Sequence, residues 1–186
     1  AHGGRPLTGE PLAPKPVSAA TRHVMQANKS KNTKPELKVR AALREAGLSG
    51  YRLHWKKAPG KPDICFPGRH VAIFVNGCFW HRCPHCGLTM PKSNVEFWEA
   101  KFARNRARDA RDNALLVSGG WTVITIWECC LKKGRFDATM RELVREIRRA
   151  EELRVQGLRS GRLVEIGSAP AWRVRRERHR RRGRRG

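Results

Sequence analysis

The 186-residue sequence predicts an α/β layer fold in which a mixed central sheet is flanked by helices. Three observations carry this expectation. A capping box opens a helix near residue 33, two apolar runs read as central strands, and a long helical stretch separates those runs.

Thr33-Lys34-Pro35-Glu36 is a capping box with proline in the first turn, and Leu37, Val39, Ala41 and Leu43 supply an apolar face before Gly47 ends the helix. Tyr51 to Trp55 alternates bulky and polar residues, Asp63 to Phe66 follows a Pro-Gly-Lys-Pro turn, and Val71 to Val75 is apolar throughout. These three segments read as short strands. Asn94 stands where it can cap a second helix running to about Val117, and Gly119-Gly120 stops it. Trp121 to Trp127 reads as a fourth strand buried on both faces, and Asp137 to Leu153 as an amphipathic helix. Arg162 to Ile166 has the pattern of a stray edge strand.

The flanks differ from this body. Residues 1–20 are rich in Pro, Gly and Ala without apolar periodicity, which predicts a disordered arm before a single domain spanning 21–156. Residues 157–186 are expected to form a basic, disordered tail. Arg173 to Gly186 holds nine arginines against one glutamate, about +8 of the net +24, and such like charges repel. The remainder still leaves the body strongly basic, so a polyanion is the expected partner and nucleic acid the favoured one. No apolar run approaches the length of a spanning helix, which argues against a membrane protein and for a soluble cytoplasmic one.

Six cysteines in a basic chain point to metal rather than to a secreted disulfide framework, because four metal-binding residues cluster as Cys78, Cys83, His85 and Cys86. Thiolate and imidazole suit tetrahedral Zn²⁺, and Cys129 or Cys130 can complete the set. The expected ligands are Cys78, Cys83, His85 and Cys129, with Cys86 and Cys130 as substitutes. Four protein ligands close a zinc site, so catalysis would need a different metal. Asp63 is the candidate for that role: the turn Gly60-Lys61-Pro62 holds its carboxylate at a strand start, although Pro-Asp is also ordinary turn chemistry.

The series Thr33-Lys34-Pro35-Glu36, Pro59-Gly60-Lys61-Pro62-Asp63, Gly77-Cys78-Phe79-Trp80-His81, Glu96-Phe97-Trp98, Asn105 to Asp109 and Trp127-Glu128-Cys129 resembles the very short patch repair (Vsr) endonucleases in order and spacing. The resemblance spans roughly Thr21 to Leu131. It implies a restriction-endonuclease-like fold with a structural zinc site, and a Mg²⁺-dependent nick 5′ to the thymine of a T:G mispair left by 5-methylcytosine deamination. It also implies residue roles. Asp63 and the Val75 carbonyl would bind Mg²⁺; His81 would be the catalytic histidine, oriented by Asp109; Glu36 would act from outside the direct ligands, although its capping role already explains it. An imidazole, which as a residue type titrates near neutrality, can take a proton from attacking water. Phe79, Trp80 and Trp98 resemble aromatic residues wedged into the base stack, and Met25 one that enters from the other groove; core packing is the alternative for Trp98. Asn76 stands where the best-known form of the family has histidine, and positions 83 and 85 reverse its order of cysteine and histidine.

The resemblance further implies double-stranded DNA with a T:G mismatch as substrate, a MutL-type mismatch-repair factor and a repair DNA polymerase as partners, and a bacterial, nucleoid-associated monomer. Two other readings fit the composition: a restriction-type nuclease that cuts both strands of methylated or foreign DNA, and a non-catalytic zinc-stabilised DNA-binding module.

Overall fold

In a computed structural model, residues 31–158 and 161–167 are described. Met25, the N-terminal arm and most of the arginine tail therefore lie outside the described residues. The order of elements is α1 (Lys34–Glu45), β1 (Arg52–Leu53), β2 (Ile64–Phe66), β3 (Val71–Asn76), α2 (Val95–Ser118), β4 (Thr122–Trp127), α3 (Phe136–Val155) and β5 (Arg162–Ile166), with short 3-10 turns at Pro67–Arg69 and Glu128–Leu131. The five strands form one sheet in chain order. β1, β2 and β3 pair antiparallel, whereas β3, β4 and β5 pair parallel, so the sheet is mixed as expected.

Each parallel step requires a crossover, and α2 and α3 supply the two. The crossovers cover opposite faces. Val71, Ile73, Ile124 and Ile126 pack with Val39 and Leu43 of α1 and Leu143 and Ile147 of α3; Ala72 and Val123 pack with Leu116 of α2. β4 is buried along its whole length, which is why its sequence is apolar on both faces. Burying each of these fully enclosed isoleucines contributes roughly 1.5–3 kcal/mol.

α1 is capped as its sequence dictates: the Thr33 side chain accepts from the Glu36 N–H, and the Glu36 carboxylate accepts from the Thr33 N–H. Its buried face is rotated from the expected one. Leu37 is 50% exposed, and the inward stripe is Glu36, Val39, Arg40 and Leu43. The helix thus buries apolar residues toward its C-terminal end and an ion pair at its N-terminal end, where Arg40 and Glu36 meet at 2.8 Å.

Three other expectations need correction. Asn94 adopts the left-handed conformation and makes no side-chain cap, so α2 starts without the cap its sequence suggested. The first strand shrinks to Arg52–Leu53, because His54 turns into a positive-φ conformation immediately after it. The fold also does not end at residue 156. β5 lies inside the stretch expected as tail, at the Arg162 to Ile166 segment whose pattern predicts an edge strand; it pairs parallel with β4 along its length and buries Ile166 completely.

Candidate active site and thiol cluster

The turn before β2 is built for one carboxylate. Gly60 has φ +69°, and a Cβ there would stand 3.0 Å from the Asp112 Cβ and 3.1 Å from the Phe74 ring, so glycine is needed for both conformation and space. Asp63 follows directly. Its Oδ2 accepts a 2.8 Å hydrogen bond from the Val75 N–H, which ties the entry of β2 to the end of β3. Burial pushes the Asp63 carboxyl up to about 6; the Val75 N–H pulls it back, Glu36 adds to the rise, and His81 and Arg40 oppose it.

Glu36 reaches the same place from α1. It is buried and fully engaged, with Thr33 and Asn32 donating to it and Arg40 paired with it. Between Glu36 and Asp63 lies His54, which in the sequence is one polar position of an alternating strand. Its Nε2 is 3.4 Å from Glu36 Oε2 and its Nδ1 is 3.6 Å from Asp63 Oδ1. Burial lowers the His54 pKa, with Glu36 opposing and Arg40 reinforcing the fall. Ligand atoms of Glu36, His54 and Asp63 all lie within 4.8 Å of one another.

His81 sits in the turn after β3, its N–H bonded to the Gly77 carbonyl at 3.2 Å. Its Nδ1 meets Asp109 Oδ2 at 2.5 Å, and Arg108 donates to the other Asp109 oxygen at 3.1 Å. Burial alone would raise the Asp109 carboxyl, but the hydrogen bond and charge of His81, with Arg108, hold it below the ordinary carboxylate value. The Nδ1 contact leaves the opposite ring nitrogen available for proton transfer.

The sulfur cluster lies beyond the ends of β3 and β4. Cys78, Cys83, Cys86 and Cys129 place their sulfurs within 4.8 Å of one another, and none is in a disulfide. Burial pushes the Cys78, Cys83 and Cys129 thiols up. His85 is not part of this group. Its Nε2 lies 2.7 Å from Glu165 Oε1 of β5, the same oxygen that accepts from the Trp127 indole at 2.7 Å. Cys86, the substitute the sequence offers, stands with the other three sulfurs, while the imidazole of His85 faces β5. Four converging soft donors fit tetrahedral Zn²⁺, whose charge would reverse the burial effect and favour thiolates.

An aromatic platform is built on Phe79 and Trp80, which lie between Cys78 and His81 in the chain. Phe79 meets Trp80 edge-on at 5.1 Å and also touches Trp98 and Phe102; Trp80 and Trp98 lie 6.0 Å apart. Phe102 is buried, whereas Phe79, Trp80 and Trp98 are only half-buried, so their rings are not simply core. Lys101 Nζ lies 5.3–5.8 Å from the rings of Trp80, Phe97 and Trp98. Asn105 ties the platform to α2 by donating to the Trp80 carbonyl at 2.9 Å. A groove of about 860 Å³ runs between α1 and α3, away from these residues.

Comparison with known proteins identifies relatives of the chain. Residues 17–87 match the family model described as DNA mismatch endonuclease Vsr. The chain is 44% identical over 125 residues to the Type II nicking enzyme V.XorIIP of Xanthomonas oryzae pv. oryzae, a match covering 66% of this chain and 90% of that protein. It is 42% identical to the Type II nicking enzyme V.NaeI of Lentzea aerocolonigenes, over 62% of this chain and 71% of the relative. The DNA mismatch endonuclease Vsr of Escherichia coli is 37% identical over 58% of this chain and 69% of its own length. The chain belongs to the Vsr family of DNA mismatch endonucleases.

Proposed function

We propose that this endonuclease nicks duplex DNA on the 5′ side of the thymine in a T:G mispair and so initiates very short patch repair. The observation that carries the reading is the His81–Asp109 pair in the turn after β3 together with the half-buried Asp63 carboxylate, which the Val75 N–H holds at the end of the same strand. A proton acceptor and an anionic oxygen donor are what phosphodiester hydrolysis by water requires.

Asp63 and the Val75 carbonyl would hold Mg²⁺. Hard oxygen donors suit that ion, and a carboxylate raised by burial gains from a bound cation. Bound there, Mg²⁺ supplies charge neutralisation at the phosphate. The protein's own groups do the rest. Asp109 holds the His81 ring with Nδ1 engaged, and the free nitrogen takes the proton of the attacking water. Trp80, Phe79 and Trp98 present half-buried rings that can enter the stack, which costs a few kcal/mol per step and least at a mispair. This endonuclease would act as a monomer and hand the nick to a MutL-type factor and a repair polymerase.

The test uses matched and T:G duplexes with each strand labelled separately, with and without Mg²⁺. The expected result is a single Mg²⁺-dependent nick on the thymine strand of the mismatched duplex. Equal cutting of both strands on matched DNA would overturn it in favour of a restriction-type nuclease.

A further inference from the structure

His54 occupies a position whose backbone is costly for it. A histidine at φ 46° lies in the left-handed region that residues other than glycine seldom adopt. Such a conformation persists where its surroundings enforce it. The surroundings here are specific: the His54 N–H bonds the Asp63 carbonyl at 3.3 Å, and the ring, with only 16% of its side chain exposed, lies between Arg40, Glu36 and Asp63.

The ring has a defined polarity. Arg40 Nη2 lies 3.3 Å from His54 Nε2, and a guanidinium can only donate; Glu36 Oε2, 3.4 Å from the same nitrogen, already accepts from Arg40 at 2.8 Å, so the tautomer with its lone pair on Nε2 is the one that satisfies Arg40. The ring proton is then on Nδ1, which faces Asp63 Oδ1 at 3.6 Å. Asp63 Oδ2 is already fixed by the Val75 N–H at 2.8 Å. Donors thus stand at both oxygens, one from each side. The second contact is long for a hydrogen bond, and such contacts commonly tighten when ligand binds.

We propose that His54 is a positioning residue of the hydrolytic site: its Nδ1–H orients the Asp63 carboxylate for a divalent cation, and Arg40 and Glu36 hold the ring for that purpose. This rests on the reading of Asp63 as the residue that holds the cation. It gives Glu36 a role besides capping, exercised through His54. It also explains why α1 turns an ion pair inward where Leu37 would otherwise have been buried. Partners of this kind change metal affinity or activity by about 10- to 100-fold when removed.

The experiment uses the full, zinc-loaded chain and four variants: His54→Ala, His54→Gly, His54→Asn and Asp63→Asn. Mn²⁺ binding is read directly by electron paramagnetic resonance, the half-saturating Mg²⁺ concentration by single-turnover nicking, and folding by Tm. His54→Ala and His54→Gly should weaken Mn²⁺ binding and raise the half-saturating Mg²⁺ by about 10- to 100-fold. His54→Asn should recover most of both, because asparagine tolerates the left-handed conformation and its amide can stand in for Nδ1–H. Glycine removes the ring without backbone strain, so it carries the same expectation if the alanine variant does not fold. Unchanged Mn²⁺ binding in His54→Gly, with binding lost in Asp63→Asn, would overturn the role of His54 alone. Equal Mn²⁺ binding by His54→Asn and His54→Gly, both weakened, would also overturn it, since the donor would then not matter. Unchanged binding and nicking in Asp63→Asn would instead remove the cation from Asp63, and the role of His54 with it.

Discussion

His81 Nδ1 and Asp109 Oδ2 are 2.5 Å apart, which joins the turn after β3 to the middle of α2 across 28 residues of sequence. A carboxylate at Nδ1 fixes ring orientation and leaves the other nitrogen for chemistry, so the two residues should behave as a unit. His81→Ala should lower the single-turnover nicking rate by about 10²- to 10⁴-fold, and Asp109→Asn should lower it in the same step. The double variant should be little worse than His81→Ala. Multiplying losses in the double variant would show that the pair does not act together.

The same pair predicts a pH dependence of stability. Asp109 is held below its ordinary value of 3.8 by His81 and Arg108 despite burial that acts the other way. A folded pKa below the unfolded one gives stability that is present above the unfolded value and is lost as pH falls through the folded pKa. The Tm difference between wild type and Asp109→Asn should therefore be larger near neutrality and shrink on acidification below about pH 4. A difference that grows on acidification would contradict the pairing.

Cys86 and His85 give opposite expectations for metal content. Freshly reduced protein should carry one zinc per chain, and Cys86→Ala or Cys78→Ala should lose it together with much of the fold's stability, because structural zinc supplies folding free energy. His85→Ala should retain the zinc, since four sulfurs converge without its imidazole. Metal analysis of the variants decides the matter. Zinc lost from His85→Ala and kept in Cys86→Ala would restore the histidine as ligand.

Trp80→Ala tests the platform separately from the chemistry. Losing a stacked ring should cost about 1–3 kcal/mol of mismatch binding. At saturating protein the nicking rate should partly recover, because Asp63 and His81 remain in place. Unchanged affinity for the T:G duplex would make Trp80 a packing residue of the Phe79–Trp98 cluster.

Much of this was legible in the sequence, and the failures have physical causes. The α1 cap is local chemistry within four residues, and the buried strands are written in continuous apolar runs, so both could be read directly. The pairing of His81 with Asp109 came from the family resemblance, and the structure brings the two side chains together. His54 was hidden because its chain neighbours look like an ordinary strand, and its partners come from α1 and β2. Glu36 and Arg40 gave the one available signal: a Glu and an Arg at helical spacing in line with Val39 and Leu43. β5 was legible as an edge-strand pattern at Arg162 to Ile166, whereas the charge around it drew the expected domain boundary in to residue 156. The choice between His85 and Cys86 depends on the direction of one turn, which spacing does not encode.

The most direct measurement of the account is a comparison of wild type with Asp63→Ala on a strand-labelled T:G duplex, by binding titration and single-turnover nicking in Mg²⁺. The carboxylate held by the Val75 N–H is the anionic oxygen donor assigned to the cation, whereas the aromatic platform does not depend on it. Binding should be retained with its preference for the mismatch, and nicking should be abolished. Undiminished Mg²⁺-dependent nicking by Asp63→Ala would contradict the account at its centre.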